Sequence, residues 1–211
     1  MKEADGPTAR ERTKGRTMKG TKVALIVVIV LVIIAVLVGG SYVSAKNHMV
    51  ALNEDVNQSY SQVSVVQQRR LDLIPNLVAS VKGYMGEEEA VLTNIANARA
   101  GVLAAASNRA ASIQANTKLD AAILPLYRLQ EAYPNLKGND QFMRLEDELA
   151  GTENRIAVER NRYNLALKAY DVYIQQFPNS IWAGMAGYHY RDEYFKGNPA
   201  NAQAPVVDFS K

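Results

Sequence analysis

Two stretches concentrate the charged side chains that could do chemistry. Gln67-Gln68-Arg69-Arg70-Leu71-Asp72 precedes Pro75-Asn76, and Glu153-Asn154-Arg155-Ile156-Ala157-Val158-Glu159-Arg160-Asn161-Arg162 carries alternating signs over ten residues. Mixed guanidinium and carboxylate groups at helical spacing read first as solvated faces with intrahelical pairs. A second reading makes Glu146, Glu153 and Arg160, each four residues past an apolar seam position, partners of Arg69, Arg70 or Asp72 in an interhelical network that fixes register. A catalytic acid or base among them lacks support. The two histidines, His48 and His189, have no Glu three residues before them, which removes the Glu-x-x-His pattern of a bundle di-metal centre. The absence of cysteine excludes disulfides, thiolate metal sites and a lipidated cysteine. No phosphate loop, dinucleotide fingerprint, Gly-x-Ser-x-Gly elbow or His-Glu-x-x-His motif occurs, and no cofactor is expected.

Helices must position these groups. Phe142, Leu149, Ile156, Tyr163, Tyr170 and Phe177 recur every seven residues, with Leu145, Ala166, Leu167, Tyr173 and Ile174 widening the stripe. That spacing predicts a long amphipathic helix over 139–177, bounded by Gly138-Asn139-Asp140 and Pro178. A comparable line runs through Leu52, Val56, Tyr60, Val63, Val66, Ile74, Leu77 and Val81, with a kink expected at Pro75. Pro125 is expected to bend or begin a shorter helix. Lys82-Gly83-Tyr84-Met85-Gly86 before three glutamates reads as a hairpin and helix restart, although the shared register of Leu77, Val91 and Ala98 also fits a continuous helix. With the hairpin, helices fall near 45–83, 87–107, 112–134 and 139–177, lengths that close as an antiparallel up-down four-helix bundle.

Ahead of these helices, residues Val23 to Val43 contain no charged side chain, and Val23 to Val38 is built from Val, Leu, Ile and Ala alone. At about 1.5 Å per residue this run is roughly 31 Å long, the thickness of a bilayer core. Val43-Ser44-Ala45 has the small-residue spacing that a signal peptidase accepts, but the apolar run exceeds the roughly 7–15 residues of a cleaved signal, so it reads as an uncleaved anchor. Seven Lys and Arg precede it against Lys46 alone just after, which places the N-terminus in the cytoplasm and residues 44–211 on the outer side. The net charge of +3 belongs to the leader: beyond residue 22 there are 17 basic and 18 acidic side chains. A nucleic-acid interface is therefore not expected; contact of the leader with anionic lipid is.

The chain thus divides into a disordered basic leader (1–22), a transmembrane helix (23–43), a helical bundle (44–178) and an irregular C-terminal segment (179–211). In an up-down bundle the last helix returns to the membrane, which makes Trp182, Tyr188 and Tyr190 candidate interface residues for lipid. A loop packed on the bundle base is the alternative for the same stretch. Val206-Val207-Asp208-Phe209 is available to dock on the domain or on a partner. Ala35 and Gly39 form a small-xxx-small pair that would suit a homo-oligomer.

The run Arg69-Arg70-Leu71-Asp72-Leu73-Ile74-Pro75-Asn76-Leu77-Val78 with Val81-Lys82-Gly83-Tyr84 resembles the signature of the LemA family. Glu153-Asn154-Arg155-Ile156-Ala157-Val158, Arg162-Tyr163-Asn164, Ala169-Tyr170, Phe177-Pro178, Glu193-Tyr194-Phe195 and Val207-Asp208-Phe209 are similar to its later motifs. The resemblance implies a single-pass protein of the bacterial inner membrane with an up-down helical bundle and no assigned reaction. Some members of the family are linked to membrane organelles such as magnetosomes. Tyr60, Ser64 and Glu87 stand where the family usually has Trp, Asp and His, which argues against His-dependent chemistry here. The expected function is a non-enzymatic scaffold or adaptor for another envelope protein; the rivals are a ligand sensor or enzyme using a polar cleft near Arg69, Asp72 and Pro75, and a lipid-contacting, membrane-organising protein.

Overall fold

The computed structural model describes residues 9–82, 89–133, 136 and 138–196. Among them are five helices and no strand: α1 (Ala9–Lys82), α2 (Glu89–Ala104), α3 (Arg109–Ala132), α4 (Asp140–Gln175) and α5 (Asn179–Ala186). The hairpin or continuous helix expected at Gly83 to Gly86 and the docking of Val206 to Phe209 lie outside the described residues.

α1 is one helix of 74 residues, about 111 Å long at 1.5 Å per residue. It runs without interruption through the uncharged span, Gly39, Gly40 and Pro75. No linker separates the span from the part of α1 that builds the core, and no Gly or Pro lies between Ser41 and Arg70 to make one. α1 begins at Ala9, so residues 9–22 of the basic leader are helical in the structure. Extending an existing helix needs no new nucleus, and Arg and Lys extend it readily. The side chains of residues 23–41 stand exposed, and the first contact with the rest of the protein comes at Tyr42.

α1 and α4 are antiparallel. His48 packs on Tyr173, Tyr60 on Tyr163, and Arg70 reaches Glu153, so numbers rise on one helix as they fall on the other. Both bury a seven-residue series: Met49, Val56, Val63, Arg70 and Leu77 on α1, and Phe142, Leu149, Ile156, Tyr163 and Tyr170 on α4. Phe177 does not continue the series. α4 ends at Gln175, the helical phase is lost, and Phe177 is 83% exposed. α2 and α3 pack on each other and add Ile95, Val102, Leu119, Ile123 and Leu126 to the core beside Leu71, Ile74, Leu77 and Val81.

Polar caps set two helix starts. Asn108 Oδ1 accepts from Ala111 N at 2.9 Å ahead of α3, and Asn139 Oδ1 accepts from Gln141 N and Phe142 N at 3.0 and 3.2 Å ahead of α4. Pro125 lies inside α3 rather than at its start. The segment read as irregular from residue 179 begins instead with α5, which ends at Gly187. There φ is +78°, and the Tyr188 amide bonds back to Ala183 O at 2.9 Å, a left-handed closure that favours glycine. Residues 188–196 then run without helix or strand back along α4.

Candidate functional site

The core falls into two apolar clusters. One holds Leu71 to Val81 of α1 with α2, α3 and the start of α4; the other holds Ala45 to Val63 with Tyr163, Leu167, Tyr170, Ile174 and Ala183. Between them lie buried polar groups from three helices: Gln67 and Arg70 on α1, Asn116 on α3 and Thr152 on α4. Arg70 takes the place of an apolar residue in the seven-residue series of α1, which is why a guanidinium is only 1% exposed.

A charge in such a place needs partners. Arg70 Nη1 donates to Asp120 Oδ1 at 2.6 Å and to Glu153 Oε2 at 2.7 Å, and Nη2 donates to Asn116 Oδ1 at 3.4 Å. The other oxygen of Asp120 accepts from both terminal nitrogens of Arg160, at 3.0 and 3.1 Å. Asp120 on α3 therefore joins an arginine of α1 to an arginine of α4, and Glu153 closes the set from α4. Of the residues expected to pair between the two charged stretches, Arg70 meets Glu153, while Arg160 joins them only through Asp120. Asp120 and Asn116 were missed: Asp120 sits beside Leu119 of the α3 series, but nothing local in the sequence pairs it with residues 50 positions earlier or 40 later.

The remaining candidates point elsewhere. Arg69, Pro75, Asn76 and Arg155 are exposed, and so is Asp72, which accepts from Gln68 Nε2 at 2.8 Å along its own helix. A cleft near Arg69, Asp72 and Pro75 is thus corrected to one lined by Arg70, Asp120, Glu153 and Arg160. A single residue step decides this, since Arg69 and Arg70 lie about 100° apart on α1. The cleft holds about 510 Å³; Ile123, Leu124, Tyr127 and Leu149 give it an apolar side, and Asn161, Asn164, Phe195 and Lys196 form its lip. Burial, then the charges of Glu153 and Glu146, push the Tyr127 phenol above its ordinary value, with Arg70 opposing. Glu146 is likewise pushed up, by burial and then by Asp147. The two arginines and two carboxylates neutralise one another, so the layer is built to bind helices together or to meet a polar ligand at the lip; no imidazole is poised in it.

The returning C-terminal strap supplies Phe195 and Lys196 to the lip, opposite Asn161 and Asn164 of α4. Asn164 grips Phe195 twice, its Nδ2 donating to the Phe195 carbonyl at 2.9 Å and its Oδ1 accepting from the Phe195 amide at 3.0 Å. Asp171, 2% exposed, accepts from the Arg191 amide at 3.1 Å and from the Tyr194 hydroxyl at 2.8 Å. The Phe195 ring meets Tyr163 edge-on at 5.4 Å and lies under the Arg160 guanidinium at 5.2 Å. Arg191 bonds Asn53 and covers the ring of Tyr170 at 4.8 Å. Of the residues read as interfacial, Trp182 packs on Tyr42 at 5.6 Å and Tyr188 on Tyr170 at 6.4 Å, both half-buried, while Tyr190 is exposed.

Relatives are similar in sequence over much of the chain. Magnetosome protein MamQ 2 of Paramagnetospirillum magneticum is 26% identical over 222 residues, covering 93% of this chain and 80% of its own length. Magnetosome protein MamQ of Magnetospirillum gryphiswaldense is 24% identical over 186 residues, covering 76% and 68%. Protein LemA of Metamycoplasma hominis is 21% identical over 136 residues, covering 64% and 62%. The LemA family pattern matches residues 59–209, from the middle of α1 to within two residues of the C-terminus, and so takes in Arg70, Asp120, Glu153, Arg160 and Asp171 alike; the chain belongs to the LemA family.

Proposed function

We propose that this protein is a non-enzymatic scaffold or adaptor, held in the bacterial inner membrane by α1, that presents its helical domain to another envelope protein. The observation that carries this reading is the unbroken passage of α1 from the uncharged span into the core. A domain joined by a continuous helix is held at one height and one rotation above the membrane, which a flexible linker would not do. The antiparallel α1 and α4, and the core shared with α2 and α3, support an up-down four-helix bundle as the presented body. The charge bias of the leader supports an N-terminus in the cytoplasm and a domain on the outer side. The names of the MamQ relatives favour a place among membrane-organising proteins. The small-xxx-small pair Ala35 and Gly39 supports self-association through the span.

A second reading, a ligand sensor, is favoured by the cleft of about 510 Å³ at Arg70, Asp120, Glu153 and Arg160. It differs from the scaffold in requiring the lip residues. Asn161→Ala and Lys196→Ala, both exposed, should abolish a sensor's activity and leave a scaffold's intact.

Rigid presentation is tested by phase. Alanines inserted between Gly40 and Ser41 turn the domain about 100° per residue without touching Ala45, the first buried side chain of α1 among the described residues. Crosslinking in the native membrane with mass spectrometry should find a protein partner for the parent chain. That crosslink should disappear with two inserted residues and return with seven, which restore the phase to within about 20°. Equal crosslinking at every insertion length would sink rigid presentation, and reproducible absence of any partner would sink the adaptor itself.

A further inference from the structure

Between Asp171 and Arg191 the chain carries no Asp, Glu, Lys or Arg. That stretch ends α4, turns and forms α5. Ile181 and Met185, four residues apart on α5, are 51% and 71% exposed and form an apolar stripe facing away from the protein, and Phe177, just ahead of the helix, is 83% exposed. The other side of α5 is fixed: Ala183 is buried with Ala45 and Met49, and Trp182 packs edge-on against Tyr42. Tyr42 and Val43 close the uncharged span, and Val43 is itself 55% exposed. α5 therefore lies at the level where the span ends, and Lys46 is exposed one turn further along α1.

We propose that α5 is a second membrane contact, lying in the headgroup and acyl boundary of the leaflet from which α1 emerges, with Phe177, Ile181 and Met185 turned into the lipid. The proposal rests on the reading of residues 23–43 as a membrane span. A short amphipathic helix tied to a span end has its partner already beside it, and Trp182 and Tyr42 have the amphipathic rings that suit that depth. Two contacts, one through the bilayer and one along it, remove the tilt that a single helix would leave free.

The chain contains no cysteine, so single labels can be placed without removing any. Full-length Met185→Cys, Ile33→Cys and Val158→Cys variants carry a nitroxide and are reconstituted in vesicles of phosphatidylcholine and phosphatidylglycerol; Val158 is exposed on α4, far from the span. Collisions with dissolved oxygen should exceed those with a water-soluble nickel chelate several-fold at residues 33 and 185, and the order should reverse at 158. A label at 185 as open to the chelate as that at 158 overturns the proposal, with lipid exposure at 33 leaving the span intact; chelate access at both 33 and 185 overturns both. Shielding of 185 from both reagents also overturns it, because a second copy or a protein partner would then cover the stripe. As an independent readout, acyl-chain-brominated lipid should quench Trp182, the sole tryptophan, and Ile181→Asp with Met185→Asp should reduce that quenching several-fold. Unchanged quenching in the double variant would count against insertion.

Discussion

Replacing Arg70 with alanine is expected to destabilise the domain by about 3–5 kcal/mol, read by denaturant unfolding of the detergent-solubilised chain. The side chain is 1% exposed and holds Asp120 and Glu153 at 2.6 and 2.7 Å. Its loss leaves a cavity in the seven-residue series of α1 and takes from Asp120 one of its two arginines. Glu153 adds less, because its side chain is 47% exposed and water can replace the guanidinium there. Arg69→Ala, one residue away but exposed, should stay within about 0.5 kcal/mol. Arg70→Met keeps most of the volume and should cost less than Arg70→Ala, and adding Asp120→Asn to it should cost less than the sum of the two single losses, because the carboxylate left behind is part of the penalty. Equal effects at Arg69 and Arg70 would remove the charged layer as an organising feature.

The second large effect is expected at Asp171. Asp171→Ala should cost about 2–4 kcal/mol and free residues 188–196 from α4, seen as faster amide exchange in the strap and tryptic cleavage at Arg191 and Lys196. Its carboxylate accepts from a backbone amide and a phenol at 3.1 and 2.8 Å while 2% exposed, so removal strands both donors. Alkaline pH should act in the same direction. Burial, then the hydrogen bond to Asp171 and its charge, push the Tyr194 phenol well above its ordinary value. A folded-state value above the unfolded one, near 10, means that this stabilisation is complete below about pH 10 and is lost as the pH rises through and beyond it. Tyr194→Phe should remove that pH dependence. A strap that stays protected in Asp171→Ala would refute the anchoring role.

Much of the fold was legible before any coordinates. The seven-residue series of α4, its Asn139 start and the line of apolar residues on α1 all follow from period and capping, which depend on neighbours within a turn or two. Local rules also explain the errors. Phe177 kept the period but lay past the helix end, and residues 179–186 lacked a long amphipathic signature yet form α5 against Tyr42 and Ala45. In the candidate site, Glu153 and Arg160 were found from their place beside the seam, and Arg70 only as one of several choices.

By itself the sequence determined that the chain has an uncharged segment of membrane length, a helical body and no grouping of residues for a familiar reaction, because composition and period are properties of the chain alone. Tertiary structure decided which arginine is buried, that Asp120 of α3 completes its pairing, that the strap closes on Asn164 and Asp171, and that the apolar stripe of α5 stands beside the end of the span. Each of these depends on contacts across many residues of chain, where helix rotation and the exclusion of water, rather than local spacing, fix which side chains meet.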